Sequence, residues 1–199
     1  AVPVKKGAIR PGRRDTLTMM LMGFFGIFLY FSFENFGLVY TSATNASILI
    51  SLAPVLTMFG AVLIYRQSLS TKNWIGAAVA FAGSALVVWN GKVHFDLNPL
   101  GDLLIVLSAV AWAGYTLVGN RVVRSYRSII ISRRIILVGV VLFAPFSAWE
   151  VYTGQVNNVT PLALLGVLYL GVMCTAVTFL LWNYMRASQG MIFVTNKIY

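Results

Sequence analysis

Residues 161–184 read PLALLGVLYLGVMCTAVTFLLWNY, 24 positions without a charged side chain. A helix needs about 20 predominantly apolar residues to cross a hydrocarbon core roughly 30 Å thick. Strands of a membrane barrel would be shorter and would alternate polar with apolar residues, which this stretch does not do. Inside lipid every backbone N–H and C=O must be bonded within the chain, so the segment reads as a transmembrane helix.

Working outward, the same reading recurs along the chain. Spans are expected at Leu17 to about Val39, Ala43 to about Tyr65, Trp74 to Trp89, Leu100 to Val118, Ile129 to Trp149 and Pro161 to Tyr184. A seventh apolar segment begins near Met191. The joints hold helix breakers: the polar run Arg66–Asn73, Asn90-Gly91-Lys92 with Asn98-Pro99, and Gly154 to Asn158. Tyr40-Thr41-Ser42 is so short a joint that spans one and two should form an antiparallel pair. The chain opens on AVPVKKGAIRPGRRD with no apolar signal core, and closes inside the seventh segment. Both ends are therefore expected to belong to a longer chain.

Composition agrees. The chain is 59% hydrophobic and only 10% charged, with 15 Lys and Arg against 5 Asp and Glu. A soluble domain carries roughly 25% charged residues, so charge is depleted far more than apolar content is raised. The net charge of +10 would suit nucleic acid, but the basic residues avoid the apolar runs and gather in loops. Lys5, Lys6, Arg10, Arg13 and Arg14 precede span one, and no basic residue lies in the first turn. Arg66 and Lys72 follow span two, Lys92 alone follows span three, and Arg121, Arg124, Arg127, Arg133 and Arg134 surround the next joint. None lies near Gln155, and Arg186 comes after span six. High and low counts alternate at every crossing. Under the positive-inside rule, residues 1–15 and 121–134 are cytoplasmic. Trp74, Trp89 and Trp149 fall at span ends, where interfacial indoles belong. Nucleic acid is thus not an expected partner. The bilayer and a small-molecule substrate are, and a homodimer is left open.

Two segments look alike: Gly23–Ala46 (GFFGIFLYFSFENFGLVYTSATNA) and Gly166–Met191 (GVLYLGVMCTAVTFLLWNYMRASQGM). Each has spaced glycines, aromatics, a late polar pair (Glu34-Asn35, Trp182-Asn183) and a small polar joint. Apolar helices also resemble one another by composition alone; read as a repeat, the two lie five crossings apart, so the second copy would be inverted in the membrane. Inverted repeats are a transporter architecture, with the substrate site between the repeats.

The stretch Tyr40–Trp89, with its Tyr-Thr-Ser-Ala joint, Pro54 inside an apolar helix, a polar turn and the Trp74-Ile75-Gly76 entry, resembles the EamA type of the drug/metabolite transporter superfamily. Gly101-Asp102 leading to Ala111-Trp112-Ala113-Gly114-Tyr115 resembles the second copy of that domain. The resemblance covers nearly the whole chain. It implies an all-α polytopic transmembrane bundle, a part of a ten-helix inverted-repeat (5+5) transporter with about six full spans present. Residues 1–90 would be the later part of the first repeat, and residues 91–199 the earlier part of the second. It also implies the inner membrane of a prokaryote and export of small metabolites or amino-acid-like compounds. One departure stands at Gln67, where the family usually has a glutamate.

Several residues are candidates for the substrate pathway. Charged groups in membranes are costly and face bundle interiors or cavities, and Glu34, late in the first span, is the acid that qualifies. It would serve proton coupling, or reach outer water. Ser108, Trp112 and Tyr115 share one helix face and either line a cavity or pack. Gly171, Thr175, Thr178 and Trp182 form a similar stripe beside Asn183, where hydroxyls also act as helix–helix glue. Asn45 would contact substrate or cap the joint. Pro54 removes a backbone hydrogen bond and should kink its helix.

The lone His94 and the lone Cys174 form no ligand cluster. No Ser/His/Asp set or phosphate loop occurs, so no metal or cofactor is expected and the chain does not read as an enzyme. An intramembrane lipid-modifying enzyme would need a paired nucleophile and base or a ligand cluster within the spans. A non-transporting scaffold or assembly protein would bind no metabolite. Asn158-Val159-Thr160 fits a glycosylation sequon in a loop placed outside.

Overall fold

The computed structural model describes residues 11–88, 98–154 and 160–195. Lys5, Lys6, Arg10, Trp89, Lys92, His94, most of the sequon and the end of the seventh segment lie outside them. The fold is an all-helical bundle, with no strand among the described residues. Its helices are α1 (Arg13–Tyr40), α2 (Ala43–Tyr65), α3 (Thr71–Val88), α4 (Pro99–Val118), α5 (Asn120–Ser125), α6 (Ser128–Tyr152), α7 (Pro161–Gln189) and α8 (Met191–Thr195). Among the described residues, five of them, α1, α2, α4, α6 and α7, are found long and apolar enough to cross a membrane. The third span expected from the sequence forms as the 18-residue helix α3.

Local chemistry sets the helix starts. Ser42 caps α2 by accepting from the Asn45 N–H at 3.1 Å. Asn98 caps α4 by accepting from the Leu100 and Gly101 N–H groups, both at 3.2 Å, with Pro99 next to it. Thr160 caps α7 through the Ala163 N–H at 3.2 Å, again followed by a proline. The helix pauses at Ser51-Leu52 and restarts at Ala53 with Pro54 in its first turn, where a missing N–H costs no helix bond.

Three boundaries differ from the sequence reading. Helix α1 starts at Arg13, where Asp15 in the first turn complements the helix dipole. The basic stretch 121–134 is not one loop: α5 holds its first part, and Arg133 and Arg134 belong to α6. Helix α7 continues to Gln189, so Arg186 is a helical residue and not a loop residue. Gly190, at φ +91°, ends it in a backbone conformation that glycine adopts freely.

Contacts along the helices fix their directions. Helix α1 runs antiparallel to α4: Tyr30 packs on Trp112, and Thr41 reaches Asp102. It runs parallel to α6, with Thr16 against Arg134 and Phe28 against Phe143. Helix α7 runs parallel to α4, since Trp112 meets Phe179 and Thr116 meets Arg186. The two look-alike segments therefore point in opposite directions. Each also carries a π-helical turn, Phe24–Leu29 in α1 and Leu170–Val177 in α7. Displaced by about 145 residues, the first turn falls on the second, and such turns are frequent at functional sites.

Helix α4 is the centre of the bundle, with half of its most apolar window buried, while α7 has 6% of its own buried. Lipid supplies no hydrophobic drive for helix association, so close packing must hold the centre together. A Cβ on Gly26 would lie 2.7 Å from the Tyr115 ring, and one on Gly101 would lie 2.8 Å from the Thr41 nitrogen. These two glycines bring α1 against both ends of α4. The outward face of α7, with Leu164, Leu165, Leu168 and Val172, is exposed and apolar.

Candidate functional site

An aromatic layer crosses the bundle where α1, α4 and α7 meet. Trp112 lies at its centre, with ring centroids 5.3 Å from Tyr30, 5.2 Å from Tyr115, 5.8 Å from Phe179 and 5.7 Å from Trp182. All four pairs are tilted or edge-on, the arrangements that ring quadrupoles favour. Tyr115, Phe179, Trp182 and Trp112 come from only two helices because i, i+3 and i+4 positions share a face.

A polar chain runs behind the layer. The Tyr115 hydroxyl donates to Asn183 Oδ1 at 2.8 Å, and Asn183 Nδ2 donates to Ser132 Oγ at 3.1 Å. This ties α4, α7 and α6 together through groups that are all buried. One turn beyond Asn183, the Arg186 guanidinium lies 5.2 Å from the Tyr115 ring centroid and donates from Nη2 to the Thr116 carbonyl. The indole Nε1 of Trp182 is buried with no hydrogen-bond partner among the described residues.

On the other side of the layer, Glu34 is half-buried and accepts a 3.1 Å bond from the Tyr30 hydroxyl. At the same end of the bundle, Thr41 donates to Asp102 Oδ1 at 2.6 Å, and Asn45 Nδ2 approaches Thr41 Oγ1 at 3.5 Å. At the opposite end, Tyr126 donates to Asp15 Oδ2 at 2.6 Å and Arg134 donates to Thr16 at 2.9 Å. The Tyr126 phenol is pushed up by its bond to that carboxylate, then by burial, because ionising it would place two negative charges together. Tyr65 closes this end by donating to the Leu117 carbonyl at 2.6 Å.

The candidates named from sequence thus separate. Trp112, Tyr115, Trp182 and Asn183 come together in one cluster, and Glu34 joins it through Tyr30. Ser108 is fully buried with its hydroxyl spent on the Ile105 carbonyl at 2.7 Å. Thr178 is exposed and donates to the Met173 carbonyl five residues back, at 3.2 Å, as Thr175 does to Leu170 at 3.0 Å. Both hydroxyls serve the π turn. Asn45 is buried in the joint, where Ser42 supplies the cap. Gln67 is exposed.

Tyr30, Phe179, Ser132 and Arg186 escaped the sequence reading. Phe179, Asn183 and Arg186 sit at i, i+4 and i+7 and form the buried stripe of α7. The stripe traced from Gly171 used the α-helical period across a π turn, which widens each turn and rotates the face. Arg186 was masked by its charge, because counting it as a loop cation put it outside the helix. No group of three or more His, Cys, Asp or Glu that would hold a metal ion occurs among the described residues.

An antiparallel arrangement of apolar helices around a buried aromatic and polar layer defines a polytopic integral membrane protein. The chain belongs to the EamA-like transporter family, which matches residues 2–89 and 99–193. It is 27% identical over 200 residues to an uncharacterized transporter of Archaeoglobus fulgidus, covering 98% of this chain and 67% of that protein. It is 26% identical over 182 residues to the uncharacterized transporter YetK of Bacillus subtilis, covering 90% and 55%. A probable terminal-alkyne amino-acid exporter of Streptantibioticus cattleyicolor is 25% identical over 194 residues, covering 97% and 64%. The chain therefore spans between 55% and 67% of the length of these relatives.

Proposed function

We propose that the protein is a secondary active transporter that exports small metabolites or amino-acid-like compounds by alternating access. The observation that carries this reading is the aromatic layer. Tyr30 and Glu34 come from the segment assigned to the first repeat, and Trp112, Tyr115, Trp182 and Asn183 from the segment assigned to the second. A substrate site in such carriers lies where repeats meet, and half-buried polar groups among aromatics suit a small molecule with an apolar body and a few polar atoms. The opposite directions of α1 and α7, each with a π turn, support an inverted pair of repeats in residues 1–90 and 91–199. The printed name of the Streptantibioticus relative supports an amino-acid-like cargo.

In this reading the protein sits in the inner membrane of a prokaryote, with residues 1–15 and 121–134 on the cytoplasmic side. Asp15, Tyr126 and Arg134 then close the inner face, and Thr41 with Asp102 closes the outer one. Glu34 is the carboxylate on the pathway, and proton exchange at Glu34 would couple export to the proton gradient. Export assayed under an imposed pH gradient, with the full-length protein and its Glu34→Gln variant, tests the coupling. Loss of gradient dependence in the variant is expected. Unchanged gradient dependence refutes the role of Glu34.

A further inference from the structure

The guanidinium of Arg186 is 2% exposed, and among the described residues its Nε and Nη1 have no hydrogen-bond partner. Its contacts are neutral acceptors: the Thr116 carbonyl and the face of Tyr115. Among the described residues, the ionisable groups acting on it are Tyr115, Tyr65 and Arg124, none of which is negatively charged near neutral pH. A second cation is close, since Arg124 Nη2 lies 3.4 Å from where a Gly190 Cβ would stand. Withdrawing a cation from water costs several kcal/mol unless an anion or a full set of hydrogen bonds answers it. A carbonyl and a ring face answer one nitrogen of three. A carboxylate is matched by a pair of guanidinium N–H groups that includes Nη2, so Nε or Nη1 would supply one donor and Nη2 the other once the Thr116 carbonyl gives it up.

We infer that Arg186 is the anion-recognising residue of the transport site and takes the carboxylate of the substrate. The inference rests on the carrier reading above and gives the substrate class for that site. Arg186 follows Trp182 by four residues and Asn183 by three, so it shares their face of α7. The apolar body of a substrate would lie on the aromatic rings. Its carboxylate would exchange with the Thr116 carbonyl on the guanidinium when the helices part. The full burial of Arg186 favours a small solute over a lipid phosphate, which would meet the exposed arginines of the same end first.

The test uses the full-length protein in vesicles of phosphatidylcholine, with and without phosphatidylglycerol. The probes are L-norvaline and L-norvalinamide, which differ in whether the end group is a carboxylate. Counterflow and thermal stabilisation are read for the wild type, Arg186→Gln and Arg186→Lys. The expected result is a response to norvaline over norvalinamide that Arg186→Gln weakens by about tenfold or more in half-saturating concentration, with Arg186→Lys intermediate because it keeps charge without the fork. Arg186→Lys carries the test by itself if the glutamine variant does not fold. Equal responses to both probes, or an undiminished norvaline response in both variants, overturn the inference while leaving transport standing. A phosphatidylglycerol response lost in the variants, with norvaline unaffected, overturns it in favour of a lipid phosphate. No response to either probe counts against the carrier reading together with the inference.

Discussion

The Tyr115 hydroxyl and Asn183 Oδ1 meet at 2.8 Å between α4 and α7, both side chains fully buried. Asn183 passes the connection on to Ser132, so one bond orients the ring that Trp112 and Arg186 both use. Tyr115→Phe keeps the ring and leaves Asn183 Oδ1 without its donor. The expected loss is about 1 kcal/mol, since side-chain hydrogen bonds inside membrane bundles average below the 1–3 kcal/mol of a buried orphan in water. A denaturation cycle in detergent with Asn183→Leu measures it, and the two losses should be less than additive.

Gly26 permits α1 to lie against that ring. A methyl there would sit 2.7 Å from Tyr115 Cδ2, whereas one on Gly76 would meet nothing within 4 Å. Gly26→Ala should cost about 1–3 kcal/mol by overpacking and lower substrate affinity through the displaced ring. Gly76→Ala should stay within about 0.5 kcal/mol of wild type. Thermal unfolding of the two variants side by side checks the contrast.

How much of this was legible in the sequence depends on the range of the forces involved. The spans were readable because the cost of burying charge in lipid acts on every residue of a helix, as in 161–184. Directions were readable because the basic residues alternate between joints. The aromatic candidates Trp112 and Trp182 were readable because a large ring at helical spacing must pack somewhere. The π turns were not, because a change in hydrogen-bond register leaves no compositional mark, and they turned the expected face of α7 from Thr175 and Thr178 to Phe179 and Asn183. Ser108 looked available until its hydroxyl closed on Ile105. Arg186 was hidden because a topology count treats every cation alike.

The Asp15–Tyr126 bond gives one end of the bundle a pH dependence. The Tyr126 phenol is raised by its bond to Asp15, so its contribution is complete below the ordinary tyrosine value of about 10 and is lost as pH rises through the higher folded value. Stability of the wild type should fall in that alkaline window by more than that of Tyr126→Phe, as read by thermal unfolding across it. Parallel curves for the two proteins would remove the assignment.

At the opposite end, Thr41 and Asp102 share a 2.6 Å bond, and Asp102 also lies in the first turn of α4. Asp102→Ala removes a charge-assisted hydrogen bond and a favourable dipole contact, for an expected loss of about 1–2 kcal/mol. Thr41→Val should lose less, because Asp102 keeps its place at the helix start. If the clasp closes this face, both variants should speed labelling of a cysteine placed at Ser108 by a water-soluble maleimide.

In the proposed function the layer around Trp112 carries a solute across the membrane. The direct measurement is counterflow of labelled L-norvaline in proteoliposomes holding the full-length protein. Saturable exchange above protein-free vesicles is expected, abolished in Trp112→Ala while that variant still folds. Exchange no faster than in empty vesicles, or a folded Trp112→Ala protein that exchanges as the wild type does, contradicts it.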